Sequence, residues 1–379
     1  MTRAREGHGV AVWAQGALAA IVLAGLLQAC GRAPDPPPPI DLPPGFTADV
    51  FAAGLGPPRA LAVDPGGTLI VSIPSQGKVV ALADRGAGQS VRTVTVAEGL
   101  HLPHGLAFRH GNLYVAETGR ILRFRYDAKT LAARDPVVVV ADLPAGAHHW
   151  TRGIAFGPDG AFYVSVGSSC DVCREEDRRR ASIMRYQADG SGGRQFASGL
   201  RNPVGLAFHP QSGVLWTTVN ERDWRRGGAP PDYVTEVRPG GAYGWPDCYA
   251  EGGTFVGDPE LPDRHGCQGL TLPTFEVPAH SAPLGLAFYS GTAFPAPYRE
   301  SLFIAMHGSR PELLPAGYKL VRIVFRGGRP VEVEDFATGW RRDNRVWGRP
   351  VDIVAGHDGA LYVSDDHGGR IVRITFRAR

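Results

Sequence analysis

A short pattern of two apolar strands joined by a turn occurs six times along this chain of 379 residues. The copies are LAVDPGGTLIVSI from Leu61, LAFRHGNLYVAET from Leu106, IAFGPDGAFYVSV from Ile154, LAFHPQSGVLWTTV from Leu206, LAFYSGTAFPAPYRESLFIAM from Leu286 and IVAGHDGALYVSD from Ile353. Turns such as D-P-G-G and G-P-D-G suit hairpins, because Gly and Asp tolerate positive φ. The 50 glycines and 32 prolines also favour many short strands over long helices.

A strand pair that recurs once per structural unit is typical of β-propellers. The repeat therefore predicts an all-β fold, a six-bladed β-propeller with four-stranded antiparallel blades. Irregular spacing between the copies leaves a seventh, degenerate blade as an alternative. We expect the propeller to occupy residues 46–379, starting at Phe46.

The N-terminus has the features of an export signal. Arg3 and Arg5 precede an apolar run from Val10 to Leu27, and residues 27–30 read L-Q-A-C, which resembles a bacterial lipobox. This predicts a lipoprotein-type signal segment over residues 1–30, with Cys30 as the lipidation site and a Pro-rich linker over residues 31–45. The protein is then expected to be exported, as a periplasmic or outer-membrane-associated lipoprotein. A retained membrane anchor is the alternative.

Four cysteines remain if Cys30 carries lipid. An even number in an exported chain indicates disulfides, and we expect the pairs Cys170–Cys173 and Cys248–Cys267. A zinc site and a thioredoxin-like redox motif are the alternatives. They are disfavoured because one pair alone has C-x-x-C spacing and no βαβ pattern surrounds it.

The net charge is +3 and no basic tract dominates, which argues against nucleic acid as the partner. The polar residues are concentrated elsewhere. In a propeller, the loops leading into the innermost strands meet at one mouth of the central channel. The residues just before the six repeats are basic or imidazole-bearing in every case: Arg59, His104, His149 with Arg152, Arg201 with Asn202, His280, and Arg349. This set predicts a pocket for an anion with a base nearby; channel-lining groups bonded to water are the alternative.

Several stretches carry a resemblance to a known family. They are HWTRGIAFGPDGAFYVSVGSSCDVC, GLRNPVGLAFHP, YGWPDCY, HSAPLGLAFY and GRPVDI. In number and order they resemble the soluble quinoprotein sugar dehydrogenases, six-bladed propellers that bind pyrroloquinoline quinone (PQQ) through calcium. The similarity is greatest to the sorbosone- and pyranose-dehydrogenase branch, and it extends from about Phe46 to the C-terminus.

The resemblance implies a role for each matching residue. His149 matches the family's catalytic base, and neutral imidazole can accept a hydroxyl proton at neutral pH. Arg201, Asn202 and Arg349 match residues that contact the cofactor, whose three carboxylates suit guanidinium groups. Arg152 is a further candidate by position, and His104 and His280 of the same ring are also assigned to cofactor binding. The main-chain carbonyls of Arg222 and Asp223 are expected to bind calcium, a metal that prefers oxygen ligands.

Two positions differ from the glucose-oxidising relatives. Ser168 stands where those relatives carry an acidic residue that assists the base, which leaves the partner of His149 undefined. Their quinone-supporting lysine has no clear counterpart near HGSRPELL, where Arg310 is a candidate substitute. Both differences fit the sorbosone-like branch and count against glucose as the substrate.

The leading hypothesis is a PQQ- and calcium-dependent enzyme that oxidises an aldose or related sugar. Electrons would pass to an external quinone or cytochrome, because the chain has no C-x-x-C-H haem motif. A calcium-dependent propeller lactonase is the nearest enzymatic alternative, but it would place acidic side chains where this chain has basic ones. A non-enzymatic binding propeller is the other alternative.

Overall fold

A computed structural model describes residues 40–83, 91–146, 148–223, 228–261, 266–309 and 316–377. The predicted signal segment, Cys30, most of the linker and Arg310 lie outside these residues. No helix in the described ranges is long and apolar enough to span a membrane. The two helical turns present there are short 3-10 segments, Pro74–Gln76 and Ala296–Tyr298.

Six four-stranded antiparallel sheets form the blades. Strand order follows chain order in five of them, and in the sixth the first strand of the chain joins the last three. The first strand of the chain, which belongs to the last blade, is β1 (Phe46–Ala53). Blade 1 comprises β2 (Leu61–Val63), β3 (Leu69–Ile73), β4 (Lys78–Ala83) and β5 (Arg92–Ala97). Blade 2 comprises β6 (Leu106–Arg109), β7 (Asn112–Ala116), β8 (Ile121–Asp127) and β9 (Ala132–Val140). Blade 3 comprises β10 (Ile154–Phe156), β11 (Phe162–Val166), β12 (Ser182–Tyr186) and β13 (Arg194–Ser198).

The later blades carry two additional hairpins. Blade 4 comprises β14 (Pro203–Phe208), β15 (Leu215–Val219), β16 (Asp232–Val237) and β19 (Phe275–Val277). A separate hairpin, β17 (Cys248–Glu251) and β18 (Thr254–Gly257), lies between β16 and β19 in the chain. Blade 5 comprises β20 (Pro283–Phe288), β21 (Leu302–Met306), β22 (Lys319–Arg326) and β23 (Arg329–Ala337). After the small hairpin β24 (Arg341–Arg342) and β25 (Arg345–Val346), blade 6 comprises β26 (Pro350–Ala355), β27 (Leu361–Asp365) and β28 (Arg370–Phe376).

The ring closes where the two ends of the propeller meet. β1 pairs antiparallel with β28, with Phe46 opposite Phe376, so the N-terminal strand completes the last blade. The predicted all-β, six-bladed architecture is confirmed. Every predicted repeat forms the two inner strands of one blade.

Apolar side chains fill the space between neighbouring blades. Tyr163 and Ile183 of blade 3, for example, pack with Leu215, Val219 and Tyr233 of blade 4 in one buried cluster. Alternation along the strands places such residues on faces that are covered by the next sheet. The repeat therefore forms the core, and the loops between strands are left for function.

Hydroxyl groups on the second strands link the blades around the channel. Ser165 Oγ accepts from Gly153 N at 2.8 Å and donates to Val204 O of blade 4 at 3.0 Å. Thr218 Oγ1 donates in the same way to Leu284 O of blade 5 at 2.5 Å. These bonds fix the spacing of the inner strands, and so the relative positions of the loops that precede them.

The inner strands surround a cavity of about 140 Å³ on the channel axis. Most residues at its narrowest ring are small: Ala60, Gly105, Gly153, Gly205 and Gly285, with Asp352 in blade 6. At Gly205 a Cβ would lie 2.3 Å from Leu284 O, so a side chain has no room there. Asp352 Oδ2 instead accepts from Leu61 N at 2.8 Å, which joins blade 6 to blade 1.

Candidate active site at the channel mouth

His149 lies at the mouth, in the loop that leads into β10. Its Nδ1–H donates to Ser168 O at 2.9 Å and to Ser168 Oγ at 3.0 Å. Ser168 Oγ itself donates to Cys170 O at 2.6 Å, so it can only accept from the ring. This arrangement places the imidazole proton on Nδ1 and leaves the Nε2 lone pair as a proton acceptor.

The environment of His149 keeps it neutral. Burial, followed by the positive charge of Arg201, lowers its pKa to about 3. Gly167 makes the close packing possible, since a Cβ there would lie 2.4 Å from the Cβ of His149. The undefined partner of His149 is therefore Ser168, which is fully buried and supplies two neutral acceptors in place of a carboxylate.

His148 has a different setting. It is exposed, its main-chain N–H donates to Ser169 O at 3.3 Å, and its ring centroid lies 6.0 Å from that of His149. The two adjacent histidines are therefore not equivalent. His149 alone faces the buried side of the loop.

Arg201 lies beside His149 but its guanidinium is largely occupied. Nη2 pairs with Asp171 Oδ1 at 2.8 Å, Nε donates to Asp171 O at 3.0 Å, and Nη1 donates to Asn220 O and Glu221 O at 3.0 and 2.7 Å. The resemblance predicted that the Arg201 guanidinium binds a ligand carboxylate. The structure differs: the fork faces Asp171 and main-chain carbonyls, and one Nη2 N–H is left for a ligand.

Asn202, in contrast to Arg201, has a side-chain oxygen without a hydrogen-bond partner. It is 9% exposed, and its Oδ1 is buried with no hydrogen-bond partner among the described residues. A Cβ at Gly167 would lie 2.6 Å from that oxygen, so Asn202 and His149 flank the same glycine. A buried amide without a partner is costly unless a ligand or water supplies one. Asn202 is thus a strong candidate for direct ligand contact.

Arg152 was expected to contact the cofactor, and this role stays a prediction. It is 0% exposed, its Nη1 donates to His149 O and Thr151 O at 2.8 and 2.7 Å, and its Nη2 donates to Pro144 O at 2.5 Å. These contacts hold the His149 loop, while Arg152 Nε is buried with no hydrogen-bond partner among the described residues. Position before a strand could not distinguish an inward from an enclosed side chain.

The two remaining ring histidines are buried and held by neighbouring loops. His104 Nδ1 donates to Arg152 O at 3.3 Å, while its Nε2 is buried with no partner in the described part of the chain. Burial, then the charge of Arg59, lowers its pKa to about 3. His280 Nδ1 lies 3.1 Å from Ser309 Oγ and 3.7 Å from Asp223 Oδ1. His280 therefore adjoins the segment predicted to bind calcium.

The segment predicted to bind calcium is held by a side-chain contact of Arg222 and a main-chain contact of Asp223. Arg222 is 2% exposed and pairs with Asp258 Oδ2 at 2.7 Å, with its guanidinium over Tyr249 of β17. Asp223 N donates to Asp171 Oδ1 at 3.0 Å. Main-chain oxygens suit calcium, and the role of the Arg222 and Asp223 carbonyls stays a prediction.

A second cluster on the opposite side of the mouth was missed by the sequence reasoning. His307 follows β21 and donates from Nε2 to both oxygens of Asp366, which follows β27, at 3.1 Å. Arg59 Nη1 pairs with Asp366 Oδ2 at 2.6 Å. Arg349 donates from Nε to His307 O at 3.4 Å and from Nη2 to Gly308 O. Arg59 and Arg349 are thus brought together, as predicted, with an acid between them.

The charge state of this second cluster follows from its contacts. Burial alone would raise the pKa of Asp366, but its bonds to His307 and Arg59 hold it at about 2. Burial lowers the pKa of His307 to about 4 despite that carboxylate. At neutral pH the cluster therefore contains a neutral imidazole and an ionised acid. A cavity of about 340 Å³ lies beside it, lined by Arg59, Trp150 and Asp366 among others.

Both predicted disulfides are present. Cys170 is joined to Cys173 and Cys248 to Cys267. Cys170, Cys173 and Glu175 lie close enough to hold a metal, but the two sulfurs are joined to each other and are not free thiolates. The zinc alternative is therefore not supported by the structure.

The residues at the mouth fit an anionic cofactor. Asn202 has a buried amide oxygen without a partner, Arg349 keeps N–H groups beyond its two carbonyl contacts, and Arg201 keeps one. Arg59 Nε is also buried without a partner within the described ranges. The arginine N–H groups would satisfy carboxylates, whereas the Asn202 oxygen would accept a hydrogen bond from an N–H or O–H group of the ligand.

Fold and mouth together define a six-bladed propeller with a buried neutral histidine among arginines. Comparison with known proteins gives the family: residues 40–377 match the TrAA12-like family model, and the chain belongs to this family. The predicted resemblance to the quinoprotein sugar dehydrogenases is confirmed at this level.

Individual relatives agree with that assignment. The chain is 26% identical, over 410 aligned residues, to a pyrroloquinoline quinone-dependent pyranose dehydrogenase of Coprinopsis cinerea, covering 90% of this chain and 55% of that protein. The chain thus spans about half the length of this relative. A holo form of the PQQ domain of the Coprinopsis cinerea pyranose dehydrogenase superposes with a TM-score of 0.78 at 23% identity, covering 91% of this chain and 99% of that one. A calcium structure of a Trichoderma reesei enzyme of carbohydrate-active family AA12 gives 0.78 at 22% identity, covering 90% and 98%. The predicted enzyme class and cofactors agree with these names.

Proposed function

We propose that this chain is a PQQ- and calcium-dependent dehydrogenase of an aldose or related sugar, with His149 as the general base. The observation that carries the proposal is the pairing of His149 Nδ1 with Ser168 O at 2.9 Å, which leaves Nε2 as a proton acceptor at the mouth. The family assignment and the PQQ named in its relatives support the cofactor.

His149 has a defined task in this reaction. Its Nε2 accepts the proton of the sugar hydroxyl, while Ser168 keeps the ring in the required tautomer and orientation. PQQ, when bound, would supply the acceptor for the hydride that leaves the carbon bearing this hydroxyl. Because burial and Arg201 hold the pKa of His149 at about 3, the base is unprotonated before substrate binds. Carboxylate groups bound nearby would raise that pKa and strengthen the base.

The other mouth residues divide between binding and support. Asn202 and Arg349 would contact the cofactor directly, Arg201 through its remaining N–H, and the carbonyls of Arg222 and Asp223 would hold calcium. His104 and His280 line the same region. The cavity of about 340 Å³ beside Trp150 is large enough for a sugar ring next to these groups. A quinone or cytochrome outside the protein would receive the electrons.

Export and lipid attachment at Cys30 belong to the same proposal. The two disulfides support an oxidising compartment, because such bonds are rare in the cytosol. Incorporation of labelled palmitate that is lost in Cys30→Ser would support the anchor. Labelling that persists in this variant would contradict it.

Reconstitution tests the enzymatic proposal. The purified chain is loaded with PQQ and calcium chloride, and reduction of an artificial dye is followed with a panel of aldoses, sugar alcohols and a lactone. Dye reduction with at least one sugar that requires both PQQ and calcium is expected. If PQQ does not bind at micromolar concentration, or if lactone hydrolysis occurs without PQQ, the proposal is overturned.

A further inference from the structure

The C-D-V-C loop, residues 170–173, begins two residues after Ser168, the hydrogen-bond partner of His149. Its two cysteines are joined to each other, and the aspartate between them, Asp171, is 7% exposed. The family resemblance assigns no role to this loop. The loop nevertheless contacts Ser168 beside His149, Arg201, and the segment predicted to bind calcium.

Asp171 contacts two segments that are distant in sequence. Its Oδ1 accepts from Arg201 Nη2 at 2.8 Å and from Asp223 N at 3.0 Å, so one oxygen joins the arginine to the predicted calcium segment. Its main-chain oxygen accepts from Arg201 Nε at 3.0 Å and from Trp245 Nε1 at 3.3 Å. Asp171 therefore holds the Nε and Nη2 side of the Arg201 guanidinium, while the Asn220 and Glu221 carbonyls hold Nη1.

The preceding residue of the loop acts on the base. Cys170 O accepts from Ser168 Oγ at 2.6 Å, and Ser168 Oγ in turn accepts from His149 Nδ1 at 3.0 Å. The disulfide to Cys173 restricts the main chain that carries both the Cys170 carbonyl and the Asp171 side chain. One short loop thus determines the direction of His149, Arg201 and Asp223.

We propose that Asp171, held by the Cys170–Cys173 disulfide, is a positioning residue for cofactor and calcium binding. It supplies a carboxylate to the site in place of the one missing at position 168, but three residues further along and acting through Arg201 and the Asp223 main chain. With Asp171 in place, Arg201 directs its one remaining N–H to the ligand and the Asp223 segment keeps its carbonyls oriented. This inference rests on the proposed function.

A buried carboxylate with a purely structural role would have the same burial, so the test needs a control. Asp64 is such a residue: it is 1% exposed, accepts from Gly66 N and Thr68 N at 2.9 and 2.7 Å, and accepts from the Tyr126 hydroxyl at 2.7 Å. It lies in the turn between β2 and β3, away from the mouth. Asp171→Asn and Asp64→Asn therefore remove equivalent buried charges from a site and a non-site position.

The experiment measures PQQ affinity in saturating calcium chloride, calcium affinity in saturating PQQ, and the thermal midpoint of the chain without ligands. Asp171→Asn is expected to weaken both affinities about tenfold or more, as loss of a supporting hydrogen bond does at metal sites. Asp64→Asn should leave both within about twofold while lowering the midpoint comparably, because a buried charge network is also lost there. Wild-type affinities in Asp171→Asn, or equal losses in the two variants, would overturn the proposal.

The two disulfides provide a second test if Asp171→Asn does not fold. The Cys248–Cys267 bond spans 19 residues and the Cys170–Cys173 bond three, so removing the former should cost more stability. PQQ affinity should show the reverse order, with the larger loss in Cys170→Ser/Cys173→Ser than in Cys248→Ser/Cys267→Ser. If affinity follows stability in these variants, the loop has no specific part in binding.

Failure of the proposed function would look different. If the wild-type chain does not bind PQQ, amide exchange in the chain without ligands still tests the positioning of Asp223. Exchange of the Asp223 amide should be faster in Asp171→Asn than in Asp64→Asn, because Asp171 Oδ1 is its acceptor. Equal exchange would show that Asp171 does not hold this segment.

Discussion

Two buried histidines lie on opposite sides of the channel mouth and use opposite ring nitrogens. His149 donates from Nδ1 to the neutral oxygens of Ser168, whereas His307 donates from Nε2 to the carboxylate of Asp366. Both are neutral at pH 7, since burial lowers their pKa values to about 3 and about 4. The two differ in the ring nitrogen that remains, which is Nε2 in His149, the proposed base, and Nδ1 in His307, which is anchored to Asp366. The choice of partner, more than the pKa, therefore separates a catalytic from a supporting histidine here.

The largest expected effect is on the base itself. His149→Ala should lower kcat/KM by at least about a hundredfold, the usual contribution of a general base, with PQQ affinity little changed. Steady-state dye reduction and PQQ titration of the same preparations measure the two quantities. His148→Ala, at the exposed neighbour, is the control and should keep near-normal turnover. Full activity in His149→Ala would remove the distinction between the two histidines.

The second largest effect should be on stability, through Asp366 in the cluster with His307 and Arg59. Asp366→Asn should lower the free energy of unfolding by about 2 kcal/mol, because it removes charged hydrogen bonds from His307 and Arg59. Urea unfolding of the chain without ligands measures this. The exposed pair of Lys319 with Asp335 is the control, and Asp335→Asn should cost less than about 1 kcal/mol. Similar losses in the two variants would show that the cluster around Asp366 adds no more than a surface pair.

Acid should destabilise both sides of the mouth. The pKa of each buried histidine is lower in the folded chain than the ordinary value of 6.5, so the unfolded chain binds the proton first. Their stabilising contribution is thus complete above pH 6.5 and is lost as the pH falls from there toward 4 and 3. Each contributes up to about 1.4 kcal/mol per pH unit within this window. Urea unfolding between pH 7 and pH 4.5 should give a shallower slope for His307→Gln than for the wild type; an unchanged slope would contradict the buried, neutral state of His307.

The smallest effect should come from the hydroxyl of Ser168. Ser168→Ala removes one of the two acceptors of His149 Nδ1 and leaves the main-chain oxygen. A loss of about 1 kcal/mol, or roughly fivefold in kcat/KM, is expected. Ser165→Ala, which removes a hydroxyl from the ring of inter-blade bonds, should instead affect stability with little change in turnover. A large catalytic loss in Ser168→Ala would indicate that the hydroxyl, and not the carbonyl, orients the base.

The sequence repeat predicted the blades because alternation of apolar residues within a strand depends on local order alone. Ile154–Phe156 and Phe162–Val166, for instance, read as a hairpin and form one. The same repeat located one half of the mouth, since residues just before each inner strand must arrive there. The number of cysteines, together with the expectation of export, predicted the two disulfides.

Two residues that follow the second strands of blades 5 and 6, His307 and Asp366, were not recognised as part of the site. An antiparallel second strand returns the chain to the mouth, and Ser168, His307 and Asp366 all occupy that position. The motifs MHGS and SDDHGG were visible in the sequence and could have been read in this way. Asp171 had no such signal, because its place depends on the path of a loop that is closed by a disulfide.

The sequence by itself determined the six blades and their apolar core, because strand alternation and the order of motifs are properties of the chain. The tertiary structure alone decided which polar side chains face a ligand. Arg152 and Asn202 both precede an inner strand, yet the two terminal nitrogens of Arg152 donate to main-chain carbonyls, whereas the amide oxygen of Asn202 is buried without a partner in the described structure. Hydrogen-bonding partners from other blades cause this difference, and these partners are distant in sequence.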